Sequence, residues 1–171
     1  MSKHRLIGPF FFQEDTVFAK NYLEMLQGFF IPEIRKLHKV RSAVFQQDGA
    51  PAHFSLDVRH YLNNQFPDRW IGRGGPIRWA PRSPDLTPLD FYLWGHLKNN
   101  VYKSPIKNLD ELKIRIDNEV RSISKRTLSD VFFLIENNFL NAIITDAQLA
   151  NTEFLRVLQY VEILEQLIQS D

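Results

Sequence analysis

Apolar residues follow two kinds of spacing along this chain. Before residue 105, short apolar runs alternate with segments in which apolar residues recur every three or four positions, as on one face of a helix. After residue 105, only segments with this helical spacing occur. The short runs predict strands at residues 5–12, 42–47 and 77–79. The helical spacing predicts helices at 18–37, 56–66, 91–101, 112–123, 131–139 and 154–168. We therefore predict an α/β sheet core with an all-helical C-terminal segment.

Turn and capping residues mark the limits of these elements. Gly8-Pro9 predicts a bulge inside the first strand, and residues 70–75 read as a glycine-rich loop. Pro32 is expected to kink or restart the helix that contains it. Residues expected to begin helices are Thr16, Ser55, Pro88, Asn108 (with Glu111 as a capping box) and Thr127.

Composition narrows the classes of protein. The 171 residues suit one domain, and 14 Phe with three Trp predict an aromatic-rich core. The absence of cysteine excludes a disulfide scaffold, thiolate zinc ligands and a cysteine nucleophile. No apolar stretch approaches the roughly 18 residues that a membrane span needs, so no membrane partner is expected.

Basic residues concentrate in the middle of the chain, whereas acidic residues dominate residues 147–171. A polyanion would meet the middle, although an unevenly charged but solvated surface is the simpler interpretation of charge alone. The candidate DNA-binding residues are Arg69, Arg73, Arg78, Arg82, Lys98 and Lys103.

Two segments carry candidate chemistry. Residues 47–53, Gln-Asp-Gly-Ala-Pro-Ala-His, place Asp48 at the end of a predicted strand, where α/β folds bind their ligands. Residues 83–90, Ser-Pro-Asp-Leu-Thr-Pro-Leu-Asp, place Asp90 in the first turn of a predicted helix. Taken singly, each acid has an ordinary alternative as a turn or helix-cap residue.

Together the two segments resemble the signature motifs of the mariner superfamily of transposases, over residues 6–140 or so. The resemblance implies a ribonuclease-H-like fold in which three carboxylates hold two Mg²⁺ or Mn²⁺ ions for DNA cleavage and strand transfer. It assigns Asp48 and Asp90 as catalytic acids and metal ligands. His53 would contact DNA or a neighbour of the metal ligands. A surface histidine without a role is the alternative.

The family's first catalytic aspartate and its DNA-reading region precede the segment that this chain matches. The resemblance therefore implies a truncated ribonuclease-H-like mixed sheet that lacks its first strand, with residues 1–146 as a partial catalytic domain and 147–171 as its C-terminal helix. We expect a nuclear, transposase-derived fragment that binds DNA, holds metal weakly or not at all, and does not cleave.

Two other interpretations are open. An active nuclease would need a third carboxylate. A protein-interaction module, including a possible homodimer, would use the apolar seam on the last predicted helix, although two heptads are too few to indicate a coiled coil. That seam consists of Phe154, Val157, Val161, Leu164 and Ile168.

Overall fold

The computed structural model describes residues 1–36, 43–78 and 87–146, with the side chains of these residues except Arg78 and those beyond 137. The chain divides into two compact units. We call residues 10–78 the sheet unit, and residues 1–9 with 87–146 the helical unit. The predicted helix at 154–168 and most of the loop that contains the second motif lie outside the described residues.

The sheet unit contains three helices and three short strands. Its helices are α1 (Ala19–Met25), α2 (Ile31–Lys36) and α3 (Leu56–Gln65). Its strands are β1 (Phe45–Gln46), β2 (Trp70–Gly72) and β3 (Ile77–Arg78), in the order β1-β2-β3 with both pairings parallel. A parallel sheet carrying helices agrees with the α/β prediction, whereas a ribonuclease-H-like topology stays a prediction.

Helix α3 makes the connection between β1 and β2, as parallel strands require. Backbone hydrogen bonds from Phe45 N to Arg69 O and from Gln47 N to Ile71 O, both 3.0 Å, join the two strands. Ser55 begins α3 as predicted, because its Oγ accepts a hydrogen bond from Val58 N. The helix returns the chain to the start of β2, so the carboxyl ends of β1 and β2 meet at one edge.

The core of the sheet unit is rich in aromatic residues, as the composition predicts. Phe66 and Trp70 are completely buried, and the Phe45 ring stacks on Phe66 with centroids 5.4 Å apart. Leu26 and Ile31 bring the α1–α2 segment into this core. Burial of such side chains is worth about 1.5–3 kcal/mol each, so this aromatic cluster fixes α3 against the strands.

A π-helical turn, Leu26–Phe30, joins α1 to α2. Pro32 comes two residues after this turn, and helical structure runs without a break from Ala19 to Lys36. The helix therefore does not restart at Pro32, and the disturbance near the proline takes the form of a π-helical turn. Thr16 is not the N-cap of α1, because that helix begins after Phe18 without a side-chain cap.

The helical unit consists of three helices after a π-helical turn, Leu89–Leu93. These are α4 (Trp94–Val101), α5 (Leu109–Ser122) and α6 (Lys125–Asp146). Asn108 caps α5 as predicted, through its Oδ1 and Glu111 N at 2.8 Å. Glu111 instead accepts a hydrogen bond from Lys107 N, one residue before the position that a capping box would use.

One strand prediction and part of one loop prediction are wrong. Residues 5–12 form no strand, because their apolar side chains pack on helices. Leu6 packs against the Leu93 cluster of the helical unit, whereas Phe10 contacts Phe12 and Phe29 in the sheet unit. The expected glycine-rich loop begins late, because residues 70–72 form the buried strand β2.

Among the described residues, no helix combines the length and apolar character needed to cross a bilayer.

Arg115 on α5 ties that helix to the end of α4. Its Nη1 donates to Val101 O at 3.0 Å and Ser104 O at 2.9 Å, and its Nη2 donates to Pro105 O at 3.1 Å. Carbonyls at the end of a helix and in the turn after it have no partner inside that helix, so a cation that reaches them stabilises the end.

We predict that Arg115→Ala lowers the free energy of unfolding by about 1–2 kcal/mol, because three backbone carbonyls, of which that of Val101 is part-buried, lose a charged donor. Arg121→Ala is the matched control on the same helix. Arg115 pairs with Glu111 and Arg121 with Asp117, in each case a carboxylate four residues earlier, but Arg121 is exposed, so its loss should cost no more than about 0.5 kcal/mol. Urea unfolding followed by circular dichroism gives both values, and equal losses would contradict the role assigned to Arg115.

Candidate functional site

Asp48 lies at the carboxyl end of β1, as predicted from its motif. Its Oδ1 accepts a hydrogen bond from Ala50 N at 3.0 Å, which is the turn geometry that the ordinary interpretation of Asp-Gly expects. The side chain is 54% exposed, and Oδ2 has no hydrogen bond to a described residue. The carboxylate is thus both a turn residue and an acid that a ligand can reach.

His53 lies beside Asp48 at the end of the same turn. Its Nδ1 is 2.6 Å from Asp48 Oδ1, but the alignment is not that of a hydrogen bond, so the contact is an ion pair when the imidazole is protonated. The ring packs on Tyr22 with centroids 4.2 Å apart. His53 is therefore a largely buried neighbour of Asp48.

A buried polar chain, which was not predicted, supports this turn. The Tyr22 hydroxyl donates to Gln47 Oε1 at 3.0 Å, and Gln47 Nε2 donates to His53 O at 3.1 Å. Burial raises the pKa of Tyr22 above its ordinary value, and the negative charge of Asp48 raises it further. Gln47 precedes Asp48 in the motif, whereas nothing local marks Tyr22, which comes from α1.

Arg73 follows β2 and lies at the same edge as Asp48. Its guanidinium is exposed, with the central carbon 4.2 Å from the centroid of the Phe54 ring. A Cβ added to Gly49 would lie 4.0 Å from Arg73 Cδ, in ordinary contact. The structure therefore brings one predicted DNA-binding residue next to the Asp48 turn.

The other basic candidates have different surroundings. Arg69 is half-buried, and its Nη1 donates to Ala43 O at 2.6 Å, so part of its guanidinium holds the fold together. Arg78 lies in β3, and Arg82 lies outside the described residues. Lys98 and Lys103 are exposed in the helical unit. Binding of DNA by these residues stays a prediction.

Asp90 lies in the first turn of the π-helical segment before α4, as its motif predicts. It is exposed, and the helix dipole favours a carboxylate there. Asp48 and Asp90 belong to different units, so their closeness stays a prediction.

A two-metal site needs several converging carboxylates. Within the described residues, no three His, Asp or Glu side chains converge as metal ligands would. The sheet unit by itself offers Asp48, and the helical unit offers Asp90. Mg²⁺ or Mn²⁺ binding at Asp48 and Asp90 stays a prediction.

Comparison with known proteins relates the chain to transposases. The transposable element Tcb2 transposase of Caenorhabditis briggsae is 33% identical over 61 residues, which are 36% of this chain and 19% of that protein. The transposable element Tc1 transposase of Caenorhabditis elegans is 30% identical over 83 residues, 48% of this chain and 28% of that protein. No family model matches. Each match covers less than a third of the relative, and both agree with a transposase-like origin.

We predict that Tyr22→Phe lowers the free energy of unfolding by about 1–2 kcal/mol, because it leaves the buried Gln47 Oε1 without a donor. Tyr102→Phe removes a hydroxyl from an exposed side chain and should change it by no more than about 0.5 kcal/mol. Thermal or urea unfolding compares the two variants. A cost at Tyr102 as large as that at Tyr22 would rule out a special role for the buried chain.

Proposed function

We propose that this chain is a transposase-derived polypeptide that binds DNA without sequence preference and does not cleave it. One observation carries the proposal: the acid motif at Asp48 and the cationic Arg73 emerge from neighbouring parallel strands at one edge of the sheet. The similarity to two transposases supports DNA as the partner. In parallel α/β sheets this edge is the common place for a ligand.

Binding by such an edge would be mainly electrostatic. Arginine and lysine contacts to phosphate release counterions, which makes affinity fall with salt whatever the base sequence. Specific recognition needs side chains that read base edges in a groove. The cation of the candidate edge, Arg73, suits a phosphate, so we expect affinity without sequence preference.

Asp48 is also one of the two acids that the motifs assign to catalysis. Two-metal phosphoryl transfer would place Asp48 and Asp90 around the ions, which would activate the attacking oxygen and stabilise the leaving one. The motifs supply these two acids, and the family's mechanism uses a third. Two carboxylates alone would compensate the positive charge of two close ions poorly, and we propose that the 171-residue chain retains binding without cleavage.

The binding proposal predicts a steep salt dependence. Fluorescence anisotropy with a labelled duplex should give a log–log slope near −0.9 per phosphate contact, alike for unrelated sequences. Arg73→Gln should weaken binding to every duplex and make the slope about one unit shallower. Lys20→Gln, a change to an exposed residue of α1, is the control and should do neither.

Two results would contradict this proposal. A slope near zero would mean that phosphate contacts do not drive binding. Nicking of supercoiled DNA with Mg²⁺ or Mn²⁺ that Asp48→Ala abolishes would show that the chain is catalytic after all.

A second prediction tests the joint role of the two acids. Because the chain has no cysteine, Asp48→Cys and Asp90→Cys allow spin labels at these two positions alone. Ligands that share ions about 4 Å apart must be close, so the doubly labelled protein should show dipolar broadening in its electron paramagnetic resonance spectrum. A spectrum equal to the sum of the two single-label spectra would rule out a metal site shared by Asp48 and Asp90. The proposal that the chain binds DNA would still stand.

A further inference from the structure

Two arginines share one aromatic ring at the edge that carries Asp48. The guanidinium carbon of Arg59, on α3, lies 4.7 Å from the centroid of the Phe54 ring, and that of Arg73 lies 4.2 Å from it. Among the described residues, neither arginine forms an ion pair with a carboxylate. Arg59 Nε is also buried, and no described residue accepts a hydrogen bond from it. A buried donor without an acceptor is costly and calls for an explanation.

The turn after β2 holds this pair in place. Gly74 has a φ of +76°, and a Cβ added there would lie 3.0 Å from both Arg59 Cδ and Phe54 Cε2. The turn that follows Arg73 therefore packs its backbone directly on Arg59 and Phe54, which restricts the rotamers of these two side chains. Position 74 needs glycine for its backbone conformation and for this close approach.

The charge of the pair is unbalanced. Two guanidinium groups on one ring repel each other, and each cation–π contact contributes only about 0.5–1 kcal/mol at an exposed site. A bound anion would relieve the repulsion between the two guanidinium groups. Phosphate oxygens suit this place, because the planar guanidinium fork matches them with two parallel hydrogen bonds.

We propose that Arg59 and Arg73, held on Phe54, form a clamp for one backbone phosphate of DNA beside Asp48. This inference rests on the proposed function and names the residue pair through which the DNA strand would contact the edge. Arg59 lies outside residues 69–107, where basic residues concentrate, so the distribution of charge along the sequence does not mark it. The adjacency of Gly49 and Arg73 Cδ places the clamp next to the Asp48 turn.

The test measures duplex binding by anisotropy for the full chain, for Arg59→Gln, and for the Arg59→Gln/Arg73→Gln double variant. Arg59→Gln should weaken binding about tenfold, as expected for loss of one charge-assisted hydrogen bond. The double variant should make the salt slope about two units shallower. Arg35→Gln is the control, because Arg35 is an exposed arginine of the same unit that already donates to Gln65 Oε1.

A variant that preserves both charges separates the clamp from net charge. Phe54→Leu removes the shared ring, so it should weaken binding while leaving most of the salt slope. Thermal unfolding of every variant shows whether the fold survives. If Arg59→Gln does not fold, Arg73→Gln and Phe54→Leu decide the question, because Arg73 is exposed and leucine keeps an apolar side chain at position 54.

The outcomes are distinct. No salt-dependent binding by the unaltered chain would overturn the proposed function and the clamp with it. Binding by the unaltered chain that equals binding by the double variant would overturn the clamp and the role assigned to Arg73, and would leave DNA binding itself standing. A nuclear magnetic resonance shift of Arg59 Nε with inorganic phosphate, but none with DNA, would identify free phosphate as the ligand and overturn the DNA assignment. A shift of the Arg59 Nε signal on addition of DNA, seen in the unaltered chain and in the Arg35→Gln control alike, would support the clamp.

Discussion

The parallel pairing of β1 with β2 is the constraint on which the candidate site depends. Two backbone hydrogen bonds, from Phe45 to Arg69 and from Gln47 to Ile71, fix the register of the strands. That register places the Asp48 turn beside the turn after Gly72. Slippage of one residue would send the alternate side chains to the other face and separate the acid from its cationic neighbour.

Close packing at this edge restricts what its residues can be. A Cβ added to Gly72 would lie 3.0 Å from Gln47 Cγ, and one added to Gly75 would lie 2.8 Å from Trp70 Cζ3. The turn can therefore lie flat on the strand and the indole only with glycine at these positions. The buried Tyr22–Gln47 hydrogen bond supports the neighbouring Asp48 turn. A site built in this way is held rigidly before any ligand arrives, which lowers the entropy cost of binding.

Local signals predict the parts of this structure that depend on local chemistry. Ser55 and Asn108 begin helices because a side-chain oxygen reaches an N–H a few residues ahead, and that geometry depends on the adjacent residues alone. Asp48 was predicted at a strand end because an apolar run stops just before a tight turn. The α/β class follows from the order of the elements.

The features that the sequence did not predict depend on contacts between residues far apart in the chain. Gly72 looks like a turn residue, but it lies in a strand because Gln47 approaches it closely. Tyr22 and Arg59 acquire their roles from residues that the chain brings to them, so nothing in their own segments marks them. Residues 5–12 have strand-like composition, yet their side chains pack on helices. Periodicity cannot tell these two uses of apolar residues apart.

The most direct measurement of the central claim asks which edge of the sheet faces DNA. A single cysteine at Ala50 lies at the carboxyl edge, whereas one at Asn64 lies near the end of α3, which returns the chain to the opposite edge. Duplex DNA that carries a thiol-reactive group on its backbone can then report contact with each position. The account predicts cross-linking at position 50 and little at position 64. Equal yields at both positions, or a preference for position 64, would contradict it.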